Sequence, residues 1–185
     1  MLDSIKELLQ SFENYSRKFT NEELNIFTVN GSRESLIKWN PSVSEDELNQ
    51  FIKKNGWYFP SDLREFYLLH NGGVLFQHPY YGGGINIYTL EDIQGISDDS
   101  KKLPKHWYPI ARTDLTTGDI CIESERCRSG QYPYMFFLGS IDQLDEAIPI
   151  HTDFTTWLTR LFICQGEEYW VWDYEDKLTF KSSNN

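Results

Sequence analysis

Residues 43–73, VSEDELNQFIKKNGWYFPSDLREFYLLHNGG, decide the fold class of this chain. Ser44 followed three residues later by Glu47 forms a capping box, in which each side chain satisfies the backbone N–H of the other. Leu48, Phe51 and Ile52 then line one helical face, and Asn55-Gly56 ends it, since glycine enters the left-handed conformation without a Cβ penalty. A second helix follows the rigid turn at Pro60, with Ser61 as its cap. Leu63, Phe66, Tyr67 and His70 recur at helical spacing on one face, and Asn71-Gly72-Gly73 stops the pattern.

Downstream the period changes. Gly82-Gly83-Gly84 leads into residues 85–90, which alternate like a strand, and residues 108–112, 120–123 and 134–138 are further strand candidates. Thr116-Thr117-Gly118-Asp119 reads as a hairpin turn. Thr152 or Asp153 caps a helix carrying Phe154, Trp157, Leu158, Leu161 and Phe162, closed by Gly166. Upstream, Leu2, Ile5, Leu8, Leu9 and Phe12 mark a first helix. Residues 26–39 are ambiguous, with residues 34–39 a candidate short helix. Residues 169–180 read as a strand or hairpin: alternation sets Trp170, Trp172 and Tyr174 on one face and Tyr169, Val171 and Asp173 on the other, one face packing on the sheet or last helix and the other, should it stay exposed, offering a contact patch. Helices, a run of strands and a closing helix imply an α+β domain with an antiparallel meander.

Bulk properties narrow the function. With 185 residues the chain is long enough for one domain with a substantial core. No stretch approaches a membrane span, and the N-terminus has no secretory pattern. Three cysteines, Cys121, Cys127 and Cys164, argue against a disulfide framework, so a cytoplasmic location is expected. A net charge of −11 disfavours direct contact with DNA or RNA, whose phosphates need Lys and Arg. Residues 141–176 hold nine acidic side chains against Arg160 alone, a net of −8. Two readings stand: a solvated face that maintains solubility, or a face that steers a basic partner.

No catalytic pattern emerges. The cysteines lack the spacing of a structural zinc site, and nothing positions His70, His78, His106 or His151 against one of them. Cys121 suits a small core residue, and His70 a structural position at its helix end. Gly82-Gly83-Gly84 lacks the Lys-Ser/Thr of a phosphate loop, and Asp114, Asp119 and Glu123 match no calcium loop. No enzyme activity, cofactor or metal is expected.

The ordered set of motifs from Trp39 to about Leu161 resembles the SUKH superfamily, named after Syd, US22 and the yeast Knr cell-wall regulator. The resemblance rests on Trp39, the capped helix at residues 43–51, Pro60 in residues 59–67, Asn71-Gly72-Gly73, residues 109–111 followed by Gly118-Asp119, and Phe154 with Trp157-Leu158. Phe59 stands where the family usually has Leu. The resemblance implies helices packed on a curved antiparallel sheet. It divides the chain into a helical extension over residues 1–38, a SUKH-like domain over 39–166 and a strand or tail over 167–185. The resemblance implies a binding role: most bacterial members look like immunity proteins that neutralise a toxin domain of polymorphic or contact-dependent systems, often a nuclease, by binding it, and eukaryotic relatives look like regulators and adaptors. An immunity protein is therefore the leading expectation, with an intracellular adaptor related to cell-wall regulators as the alternative. The partner would be a cognate toxin, with a monomer and a weak dimer both open. Candidate contacts are Tyr80, Tyr81, Asp142, Asp145, Glu146, Glu167, Glu168, Trp170, Trp172, Glu175 and Asp176. The family-like positions Trp39, Pro60, Asn71, Gly72, Gly73, Gly118, Asp119 and Trp157 are expected to be structural.

Overall fold

A computed structural model describes residues 4–16, 24–28 and 31–172. The fold is α+β. Eight strands follow one another in chain order across one open antiparallel sheet: β1 (Leu24–Thr28), β2 (Gly31–Trp39), β3 (Gly73–Gln77), β4 (Ile85–Ile87), β5 (Trp107–Thr113), β6 (Gly118–Glu123), β7 (Met135–Gly139) and β8 (Ile148–Ile150). Such a meander fixes the position of every connection. The connections after β3, β5 and β7 lie at one end of the sheet, here the turn end. The crossovers lie at the other end and hold α2 (Glu45–Asn55), α3 (Ser61–Leu69), α4 (Leu90–Asp99) and α5 (Ser124–Arg128). α1 (Ile5–Ser16) precedes the sheet, and α6 (Phe154–Ile163) follows it.

The two faces of the sheet follow from the strand period of two. Ile120 and Ile122 of β6 and Met135 and Phe137 of β7 enter the main core with Phe66, Phe154, Trp157 and Leu161 of the helices. The alternate residues Cys121, Phe136 and Leu138 join Trp107 in a smaller cluster, covered by Leu103 and Leu144. Phe12 of α1 stacks on Phe162 of α6 at 4.0 Å between ring centroids, fastening the first helix to the last.

The capping box of α2 is formed as expected: Ser44 Oγ accepts from the Glu47 N–H, and Glu47 Oε2 accepts from the Ser44 N–H at 2.8 Å. Gly56 closes this helix at φ +69°. Four expectations need correction. Residues 34–39 belong to strand β2, where Lys38 pairs with Val74 and Trp39 with Gly73, so the N-terminal extension is a helix plus two strands. The strand at residue 85 ends at Ile87; a second capping box, Thr89 with Asp92, starts α4 instead. Pro60 rather than Ser61 occupies the cap position of α3, and this helix ends at Leu69, before Asn71-Gly72-Gly73. Finally, Tyr169–Val171 form a 3-10 turn, so Trp170 and Trp172 do not share the face of a strand. Tyr174, Glu175 and Asp176 lie outside the described residues.

The Asn-Gly-Gly motif therefore joins elements. A Cβ on Gly72 (φ +77°) would stand 2.4 Å from the Ile87 carbonyl oxygen, and one on Gly73 2.6 Å from that of Lys38. Only glycine permits this approach of α3's exit to β2 and β4. Asn71 Oδ1 accepts from the Leu90 N–H, linking the same junction to the start of α4. Trp39 stacks on His70 at 4.9 Å and lies edge-on to Phe66.

Candidate functional site

The turn end gathers the exposed side chains that the core does not use. Between β3 and β4, His78 and Gly82 form a bridge of two backbone hydrogen bonds. His78 Nδ1 accepts from the N–H groups of Tyr80 and Tyr81, which holds the loop in a tight crest. Tyr80 and Tyr81 crown it, 80 % and 88 % exposed. Gly84 (φ +92°) permits the return, since a Cβ there would meet the Leu75 carbonyl oxygen at 2.4 Å.

Next to this crest lies the β5–β6 turn, with Asp114 and Leu115 exposed. It is anchored from the far end of the chain. Glu168 accepts the N–H groups of Leu115 and Thr116 and the Thr116 hydroxyl, and is 3 % exposed. The expectation that Glu168 belongs to an exposed acidic face is thus overturned: its carboxylate is turned inward onto the donors of the turn. Trp170, a candidate contact only if its face were left exposed, takes the core position instead, buried beside Trp157 and Phe137. Glu167 is half-buried, and Trp172 remains 50 % exposed.

The β7–β8 connection completes the row. The Ser140 N–H donates to the Thr117 carbonyl oxygen at 3.0 Å, tying this loop to the β5–β6 turn. Ile141 projects from it, 89 % exposed, with Asp145 and Glu146 also exposed. Glu146 additionally caps the Gln143 N–H, and the Asp142 carboxylate packs over Gly139. A cleft of about 600 Å³ between these two turns is lined by Phe137, Ile141, Ile148, Val171, Asp142 and Glu146, among others. Tyr80, Tyr81, Asp142, Asp145 and Glu146, expected as contacts, therefore share one end of the sheet. Asp114, Leu115 and Ile141 escape sequence reasoning, because only topology brings the three turns together.

The other expected groups have structural surroundings. Asp119 lies 3.3 Å from the Arg112 guanidinium and accepts the Tyr88 hydroxyl at 2.6 Å. Burial, with the Asp119 carboxylate alongside, pushes the Tyr88 phenol well above its ordinary value. Gly118 lies under the Phe137 ring, where a Cβ would stand 2.5 Å away, and Trp157 is fully buried. Burial also raises all three free thiols, Cys127 to about 12. A thiol so placed is protonated at neutral pH and a poor nucleophile. Among the described residues, no group of three His, Cys, Asp or Glu side chains is placed to hold a metal ion, and no helix is long and apolar enough to cross a membrane.

An α+β chain with Trp39 and Gly73 locking β2 to β3, a Pro60 turn and an Asn-Gly-Gly junction is a domain of the SUKH superfamily. More narrowly, the chain belongs to the SMI1 / KNR4 family (SUKH-1), which matches residues 42–160. It is 31 % identical over 128 residues to an uncharacterized protein, YnaB, of Bacillus subtilis (strain 168), covering 69 % of this chain and 82 % of the relative. It is also 23 % identical over 139 residues to another uncharacterized protein of that strain, YobM, covering 70 % of each.

Proposed function

We propose that this chain is a non-enzymatic immunity protein that binds a cognate toxin domain and blocks its active site or substrate groove. The observation that carries the reading is the turn end itself. Exposed Tyr80, Tyr81, Leu115 and Ile141 alternate there with Asp114, Asp145 and Glu146 on three adjoining turns. Aromatic and apolar anchors set among charges are the makings of a protein interface. Loops held by a rigid sheet are also where binding residues concentrate. The partner that suits this surface is basic. A nuclease domain presents Lys and Arg to phosphate, and an acidic face competes for those same side chains. Membership of the SMI1 / KNR4 family supports the binding role and leaves an intracellular adaptor as the second reading.

The test screens the genes neighbouring this chain's for a toxin domain and assays any that is found. Intact protein should abolish that domain's activity at equimolar ratio. The doubly reversed variant Asp114→Lys, Asp145→Lys should associate about tenfold more slowly at low salt, with a flatter salt dependence. An unchanged association rate removes the turn end as the steering surface. Undiminished toxin activity removes the immunity role.

A further inference from the structure

At the crossover end of the sheet, the first turns of α3 and α6 border a separate cleft of about 500 Å³. Three tyrosines line it, Tyr58, Tyr132 and Tyr134, together with Asp62 and Asp153. Tyr58 and Tyr132 are 41 % and 58 % exposed, whereas Tyr134 is 4 % exposed with its ring centroid 4.9 Å from that of Tyr132. The carboxylates are fixed in place. Asp62 accepts from the N–H groups of Leu63 and Thr155, and Asp153 accepts from that of Thr156 at 2.7 Å. Burial raises the Asp62 carboxyl above its ordinary range; the amides of Thr155 and Leu63 oppose the rise and the Asp153 charge adds to it.

Two like charges thus share a cleft that no Lys, Arg or His lines. The arginines of nearby α5 are engaged elsewhere. Arg126 lies over the Phe136 ring and donates to the Tyr132 carbonyl oxygen, and Arg128 bonds the Gly56 carbonyl oxygen and pairs with Glu125. Fixed carboxylates lining a cleft with tyrosine rings, offset only by the partial positive ends of α3 and α6 and by no cationic side chain, suit an organic cation: aromatic rings attract it, and the carboxylates accept its N–H groups. Exposed tyrosines at the rim favour a cation presented by a protein, since such rings offer contact area at small entropic cost.

We infer that this cleft receives the guanidinium or ammonium group of an Arg or Lys side chain from a protein partner. The site stands on the opposite end of the sheet from the toxin-facing turns and does not depend on that reading. The probes are N-acetyl-argininamide and N-acetyl-lysinamide, with N-acetyl-citrullinamide as the neutral counterpart, titrated into the full chain by ¹H–¹⁵N NMR. The amides of Thr155 and Thr156 should shift saturably with the two cations and not with citrulline. Asp153→Asn retains a good N-cap while removing the charge, and should weaken binding at least tenfold. Tyr132→Ala, at an exposed ring, should do the same and covers the case in which the first variant misfolds. Absent shifts, equal shifts with citrulline, binding undiminished by either folded variant, or tighter binding of spermidine than of both amino acid amides would each overturn the inference.

Discussion

The two ends of the sheet share close glycine joints but differ in what they expose. At the crossover end, main chain meets main chain. A Cβ on Gly72 would meet the carbonyls of Ile87 and Tyr88, one on Gly73 that of Lys38, and Asn71 bonds the start of α4. At the turn end, side chains project, and polar side-chain anchors, His78 under one turn and Glu168 under the next, add to the backbone bridge of His78 with Gly82 and the close return at Gly84. Trp39, Asn71, Gly72 and Gly73 build the first end, whereas the exposed Tyr80, Tyr81, Leu115 and Ile141 belong to the second. The Asn71-Gly72-Gly73 joint and the exposed crest of Tyr80 and Tyr81 thus stand at opposite ends of the strands, so the crest can change without disturbing that joint.

Substitutions at each end should reveal that separation. The largest effect is expected for Gly72→Ala. A Cβ 2.4 Å from a carbonyl, on a backbone at positive φ, combines overpacking with left-handed strain, about 3–4 kcal/mol in urea unfolding. A loss below ~1 kcal/mol, as for an ordinary exposed site, would erase the distinction between the ends. Glu168→Ala should come next. It strips the Leu115 and Thr116 donors of their acceptor and should cost about 2 kcal/mol, while leaving the crossover-end amides unshifted in the NMR spectrum.

The smallest effect concerns pH. Burial holds the His70 imidazole below its ordinary pKa, against the opposing influence of the Asn40 backbone and Glu13. The unfolded chain therefore takes up a proton before the folded one as pH falls below about 6.5. His70's contribution is complete above that pH and declines below it. His70→Phe, which keeps a ring on Trp39, should flatten stability against pH between neutrality and pH ~5 in chemical denaturation; an unchanged slope would assign the decline to other groups.

Much of the fold was legible because its signals are local. The capping box at Ser44, the Gly56 stop, the Gly118 hairpin and the Asp153 cap each act within a few residues. β2 was not, since residues 34–39 acquire strand character by pairing with Gly73, Val74 and Gln77, far along the chain. α4 was obscured because Ile85-Asn-Ile alternates straight into it and its cap lies inside the apparent strand. The tail misled for the converse reason: alternating aromatics suggest a strand, yet Trp170 is drawn under Trp157 by a 3-10 turn. Of the candidate surface, Tyr80 and Tyr81 were visible beside their glycines. The fate of Glu168 was not, because its partners stand more than fifty residues away.

The Glu168 anchor also makes the β5–β6 turn and the chain's last described segment thermodynamically reciprocal. A ligand that grips the turn only in its anchored form must slow hydrogen exchange at Leu115 and Thr116. It must equally protect the Gly166–Trp172 stretch from proteases, even without touching the buried Trp170. By the same linkage, trimming that stretch would weaken the ligand by the factor with which the ligand had tightened it.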